Sequence, residues 1–321
     1  MFENKKILVT GGLGFIGRTL LETLIKYNCG AKLYAIDLKQ MPEDAELLKK
    51  NIDFQMLDIR NENAVKSYIS ANTFDGIVHL AAVSRVVDAE KDKSNCIETN
   101  YKGTKYIAEA TAENPCCWMI FGSSREVYGE QTVFPVKESD PKKPINIYGK
   151  CKLEGERLVA ETINLYAILR FCNVYGNVYD IHDRVIPKFI INAIQDKPFV
   201  LEGGNQIIDF THVNDTVRSI VKVMELLQGG CIEKEIIHIS PGFGVPIAQL
   251  AQSINHIIGK TLPILRLPPR TYDVQRFVGD TTHRICLLGN DPFLTIDEGL
   301  SQLIAQIKEL PQFQPHIRKP E

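Results

Sequence analysis

Tyr148 and Lys152 stand four residues apart in YGKCK, a segment that reads as helix, so both side chains turn to one face. An ammonium beside a phenol favours phenolate and draws the tyrosine pKa from about 10 toward neutrality. That makes a proton acceptor for a hydroxyl under oxidation. A Tyr-x-x-x-Lys pair by itself is ordinary helix surface. What gives this one meaning lies upstream, in Ser123-Ser124-Arg125-Glu126-Val127-Tyr128-Gly129, where the Ser124 hydroxyl can share the substrate proton with Tyr148.

A second constellation opens the chain. Thr10–Gly17, TGGLGFIG, follows an apolar strand and begins an amphipathic helix. Gly11, Gly14 and Gly17 supply a tight turn, close backbone approach to a pyrophosphate and close helix–sheet packing, and the free amides of the helix N-terminus face the phosphate charge. Asp37, twenty residues after Gly17, ends the second strand, where a carboxylate binds a ribose diol and repels a 2′-phosphate, favouring NAD over NADP. Asp58, in LDIR after the third strand, is a second acid at a strand end, within reach of an adenine amino group or simply solvated.

These residues need a scaffold that carries them to one edge. The strand candidates are Lys6–Thr10, Lys32–Ile36, Ile52–Leu57, Gly76–Ala81, Trp118–Gly122 and Tyr166–Phe171, separated by stretches of helical period such as Ile97, Tyr101, Tyr106, Ile107 and Ala110. Near-continuous apolar strands alternating with helices predict an α/β fold, a doubly wound parallel sheet whose ligands bind beyond the strand carboxyl ends. After residue 172 the rhythm breaks, with prolines punctuating shorter elements. The expected division is a dinucleotide-binding domain over 1–172, to which 209–240 returns, and a smaller C-terminal substrate-binding lobe formed by 173–208 and 241–321.

The 321 residues suffice for a large core without disulfides or metal. Thirty-seven basic against 39 acidic residues give a net charge of −2, with no Lys/Arg run interleaved with aromatics, which argues against nucleic acid. No apolar stretch approaches the ~18 residues of a membrane span, and MFENKK runs into a strand rather than a signal sequence, so a cytoplasmic protein with no membrane contact is expected. The eight cysteines form no C-x-x-C pair and read as reduced core thiols, with no metal site.

Taken together, TGGLGFIG, Asp37, LDIR, His79-Leu80-Ala81-Ala82, Asn100, SSREVYG, YGKCK, Leu169–Gly176, Asp209–Asp215 and PPR…DV, in this order, resemble the extended short-chain dehydrogenase/reductases, specifically the nucleotide-sugar epimerase/dehydratase family, over nearly the whole chain. The resemblance implies a Rossmann-type sheet, NAD as cofactor and a nucleotide-diphosphate sugar as substrate. It makes Tyr148 the catalytic base, assigns Lys152 to the nicotinamide ribose, and has Ser124 assist proton transfer. Phe15, Ile16, Ile59, Leu80, Ala81, Ala82, Ser123 and Phe171 join the glycines, Asp37 and Asp58 around the cofactor, while Asn100 organises the active-site backbone. His79 is expected behind the cofactor without a catalytic role. Ser84, Arg85, Ser124, Arg125 and Asn173 face the substrate, and Arg270, helped by Arg184, takes its diphosphate, since Ile208 stands where the family usually has arginine. A homodimer through the helices Ser94–Asn114 and Ile147–Ile163 is also implied.

Members of this family begin alike, with hydride leaving the sugar, usually from C4, for NAD. The leading reading is an epimerase. Glu126 keeps open a 4,6-dehydratase or decarboxylase, although Arg125 replaces the acid that the best-known dehydratases carry and cannot protonate a departing hydroxyl. Glu126 otherwise reads as an ion pair with Arg125 or Arg85. A net C4 dehydrogenase and a non-catalytic NAD-binding sensor or assembly protein are the remaining alternatives.

Overall fold

The computed structural model describes residues 2–180 and 182–313. The first half runs β1 (Lys6–Thr10), α1 (Phe15–Lys26), β2 (Lys32–Asp37), α2 (Glu46–Asn51), β3 (Ile52–Met56), α3 (Glu62–Asn72) and β4 (Gly76–His79). It continues through α4 (Val86–Lys91), α5 (Lys93–Cys96), α6 (Thr104–Ala112), β5 (Trp118–Ser124), α7 (Ile147–Thr162) and β6 (Leu165–Phe171). The remainder is β7 (Asn173–Tyr175), α8 (Val185–Ile194), β8 (Phe199–Glu202), β9 (Ile207–His212), α9 (Val213–Gln228), β10 (Lys234–Ile239), β11 (Gly244–Pro246), α10 (Ile247–Ile258), β12 (Ile264–Leu267), β13 (Arg276–Phe277), α11 (Thr282–Leu288) and α12 (Ile296–Glu309).

The main sheet has seven strands in the order β10-β6-β5-β4-β1-β2-β3, every adjacent pair parallel. The chain reverses its winding between β1 and β4, so the crevice for a ligand opens at their carboxyl ends. Strands such as Gly76–His79 and Trp118–Ser124 are buried along their whole length because helices cover both faces. Leu20, Leu24, Val217, Ile220 and Met224 pack on one face, and Val65, Ile69, Ile107 and Val159 on the other.

The second lobe is built around β9, which pairs with β7, β11 and β13, and a two-stranded β8–β12 piece. Its own core joins Ile186, Phe189, Phe199, Ile208, Leu250, Ile254 and Leu303. Three sequence expectations change. Of 209–240, α9 and β10 return to the main sheet, but β9 with Asp209 stays in the second sheet, because its neighbours β7, β11 and β13 are all second-lobe strands. The C-terminal segment is not wholly second-lobe either, since Leu287, Leu288 and Phe293 pack against the first core. The single helix expected over Ser94–Asn114 is α5 and α6 joined by a π-helical turn at Ile97–Gly103.

Strand ends shift slightly: β4 stops at His79 and β3 at Met56, while β5 extends to Ser124. Cys116, Cys231 and Cys286 are exposed, so only five of the eight thiols are core residues, and all eight are free. No helix among the described residues is long and apolar enough to cross a membrane.

Candidate active site

The glycine loop bridges β1 to α1 at the switch point. Gly11 adopts φ +68°, and a Cβ there would lie 2.8 Å from the Ala81 amide nitrogen; one on Gly17 would meet the Gly11 carbonyl. Only glycine permits this close approach of the loop to the end of β4 and to its own first turn. Asp37 fixes the loop, its carboxylate accepting from Leu13 N at 3.0 Å and Lys39 N at 3.0 Å. Ala81 N donates to Thr10 Oγ1 at 3.2 Å and Leu80 N to Thr10 O at 3.1 Å, so the β4 exit, with Ala82 next, lies against the β1 exit. These residues fit a dinucleotide.

Other expected cofactor residues are committed to the protein itself. Arg60 grips Asp58, with Nη2 2.6 Å from Oδ2, and holds its carboxyl below the usual carboxylate range. Asp58 is therefore an ion-pair acid. The Ile59 side chain is core, lodged against Gly103. Ser123 donates to Glu156. Asn100 spans the Val83 backbone, accepting from its N–H at 2.7 Å and donating to its carbonyl at 2.9 Å, and so fixes the loop leading to Ser84. His79 sits between Thr10 and Thr104, and burial pushes its imidazole down to about 3, which keeps it neutral.

One cavity of about 360 Å³ collects Ile16, Ser84, Arg85, Ser123, Ser124, Arg125, Glu126, Tyr148, Phe171, Asn173, Arg184 and Arg270. Tyr148 comes from the first turn of α7 and Ser124 from the end of β5. Burial pushes the Tyr148 phenol up to about 12, against the pull of the Ser124 hydroxyl and the Arg184 charge. This corrects the expectation of a depressed phenol: desolvation outweighs the nearby positive charge. Lys152 lies beneath, donating from Nζ to Gly122 O at 2.6 Å, with Nζ 5.9 Å from the Tyr148 ring centroid. Burial pulls its ammonium down to about 8.

Both carboxylate oxygens of Glu126 have a partner. Its Oε1 is 2.9 Å from Arg125 Nη2 and its Oε2 accepts from Asn146 Nδ2 at 2.7 Å. Arg125 also donates from Nε to Asn173 Oδ1 at 3.0 Å, which ties together two residues expected to face the substrate. The ion-pair reading of Glu126 thus holds, with Arg125 as the partner; Arg85 instead pairs with Asp88 and Asp183. Arg184 meets Asp180 at 3.3 Å and donates to Ser84 Oγ at 3.0 Å. Arg270 Nε lies 2.8 Å from Asp273 and 2.9 Å from Glu202.

Three supporting residues escaped the sequence reading. Asn146 caps α7, accepting from Gly149 N at 2.8 Å while it holds Glu126; an Asn just before a helix was the available signal. Glu156 and Arg170, 2.7 Å apart with side chains 5% and 1% exposed, fasten α7 to β6. No local pattern announces that pair. Among the described residues no cluster of His, Cys, Asp or Glu side chains could hold a metal ion.

Residues 7–237 match the sequence model described as the NAD dependent epimerase/dehydratase family. The chain is 29% identical over 314 residues to a putative UDP-glucose 4-epimerase of Methanocaldococcus jannaschii, covering 94% of this chain and 98% of that one. It is 28% identical to a UDP-N-acetyl-alpha-D-glucosaminuronate decarboxylase of Bacillus cytotoxicus, covering 95% and 98%. The crystal structure of a UDP-glucuronic acid 4-epimerase from Bacillus cereus, in complex with UDP-glucuronic acid and NAD, superposes with a TM-score of 0.85 at 28% identity, over 95% of this chain and 99% of that one.

Proposed function

Because the chain belongs to the NAD dependent epimerase/dehydratase family, an enzyme family with NAD as cofactor, we propose that it is a nucleotide-sugar 4-epimerase acting on a UDP-sugar, with Tyr148 as the proton-transfer group. Bound at the glycine loop, NAD supplies a reversible acceptor for one hydride from the sugar. Tyr148 takes the C4 hydroxyl proton, Ser124 shares it, and Lys152 sets the field in which the phenol gives it up. Burial lifts the phenol to about 12 and lowers Lys152 to about 8, which drives the two pKa values apart from their ordinary values of about 10 and 10.4. A positive charge set against the phenol, as an oxidised nicotinamide would supply, would draw it back down.

The observation that carries epimerisation over dehydration is Glu126, whose two oxygens are taken by Arg125 and Asn146. A carboxylate so engaged is a poor candidate for the base at C5, and Arg125 offers no acid for a leaving hydroxyl. The relatives named for UDP-glucose and UDP-glucuronic acid support a UDP-sugar. In the test, NAD-loaded enzyme starting from UDP-glucose or from UDP-galactose, and likewise from either 4-epimer of UDP-glucuronic acid, reaches a common mixture for the true pair. Tyr148→Phe slows this by about 10²–10⁴-fold, the usual size of a general acid–base contribution. No 4-epimer from any of these UDP-sugars, or an unimpaired Tyr148→Phe, contradicts the reading.

A further inference from the structure

Two buried thiols take no part in the hydride and proton transfers, yet the fold sets them together beside the tyrosine. Cys96 ends α5 and Cys151 stands on α7; they pack with Tyr148 and Ala89 in one cluster, 0% and 5% exposed. The Cys96 S–H donates to Cys151, and Asn100 donates from Nδ2 to Cys96 Sγ at 3.6 Å. The other buried thiols, Cys29, Cys117 and Cys172, each lie in a different cluster. Both thiols of the pair are free.

Each member is tied to the active site. Cys151 follows Tyr148 by three residues on the same face of α7 and immediately precedes Lys152. Cys96 leads into the π-helical turn Ile97–Gly103, whose Asn100 holds the Val83 backbone at 2.7 and 2.9 Å. A disulfide sets its sulfurs about 2 Å apart, closer than two hydrogen-bonded thiols, so forming one draws the Tyr148 turn toward Asn100. Misplacing a reacting group by about 1 Å can cost on the order of 10²-fold in rate.

The two thiols are also unequal. The Cys96 hydrogen bond holds Cys151 below the ordinary thiol range, against burial and with help from the Lys152 charge, while the same bond raises Cys96. Tyr148 and Val86 belong both to this cluster and to the cavity wall, so the thiols lie just behind that wall.

We propose that Cys96 and Cys151 form a redox-modification site, which a small hydroperoxide converts to a disulfide and thereby switches the enzyme off reversibly. The Cys151 thiolate attacks one peroxide oxygen and the O–O bond breaks. A sulfenic acid forms, and the other oxygen leaves with the thiol proton as water or an alcohol. Cys96 then attacks the Cys151 sulfur, the S–O bond breaks, and the hydroxyl departs with the Cys96 proton as water. The two thiols together lose two electrons, which reduce the peroxide. The loss of activity rests on Tyr148 as the proton-transfer group of the proposed epimerase; the formation of the bond does not.

The test uses NAD-loaded protein carrying Cys116→Ser, Cys231→Ser and Cys286→Ser, which removes the exposed thiols. After hydrogen peroxide, mass spectrometry is expected to find peptides linked through Cys96 and Cys151. The rate of 4-epimerisation is expected to fall by about tenfold or more and to return with dithiothreitol. Cys96→Ala and Cys151→Ala in the same background, with folding checked by thermal melting, are expected to keep most of their own untreated rates. No linked peptides, linked peptides with an unchanged rate, or an equal loss in the alanine variants overturns the proposal. Linked peptides in a reduced-active-site protein that epimerises no UDP-sugar even before treatment uphold the modification site and overturn the epimerase reading instead.

Discussion

Tyr148 carries a phenol that burial pushes up to about 12, next to a lysine pulled down to about 8. Both shifts come from burial, which penalises the charged form of each group. The sequence showed the pair and its spacing but not its desolvation, since the residues that exclude water, Phe121 beneath Lys152 and the α5–α7 contact around Cys96 and Cys151, come from distant segments. Glu126 was legible as an ion pair because its partner Arg125 is its neighbour. The lysine makes a stability prediction with a defined sign. Its folded pKa is depressed, so between about 8 and the unfolded value near 10.4 the unfolded chain binds more protons, and this group makes stability rise with pH. Below about 8 its buried charge is a full penalty. Lys152→Met in the NAD-free protein is therefore expected to melt higher than wild type at pH 7, with the gap shrinking as pH climbs through that window. A constant gap would mean that burial is not what shifts Lys152.

At the scale of elements, α7 is the part on which the chemistry depends. Asn146 caps it, Glu90 Oε1 accepts from Ile147 N at 2.8 Å, and the Glu156–Arg170 pair binds its middle to β6. Tyr148 and Lys152 thus sit on a turn fixed at its start and two turns later. Asn146→Ala removes the cap, worth about 1 kcal/mol, and leaves Glu126 Oε2 without its donor. The expected outcome is a lower melting temperature together with a fall in kcat larger than any rise in KM, measured by melting and steady-state kinetics. A melting change with untouched kcat would make Asn146 purely structural. The helices and parallel strands of the first half were legible from apolar runs and helical period. The π-helical turn at Ile97–Gly103 was not, because one extra residue per turn leaves no mark in a short apolar pattern.

For the molecule as a whole, the site exists because two lobes close on one crevice. The main sheet delivers the glycine loop, Ser124 and, through α7, Tyr148; the second lobe delivers Arg184, Lys188 and Arg270. Arg85 to Asp183 at 3.0 Å and Arg184 to Ser84 at 3.0 Å join the rims. The first-half order of βα units follows from sequence because each strand pairs near its neighbours in the chain. The second lobe does not, since β9 gathers β7, β11 and β13 from far apart, and no local signal encodes those pairings.

In the proposed 4-epimerase, hydride leaves C4 and returns to the opposite face of the same carbon with no proton lost from carbon. Proton NMR of the NAD-loaded enzyme with UDP-hexoses and UDP-hexuronic acids in deuterated water tests this directly. Inversion at C4 with no deuterium on the sugar carbons is the expected result. Deuterium at C5 with a new C6 methyl, loss of a carboxylate carbon, or a keto-sugar accumulating with stoichiometric NADH would contradict it.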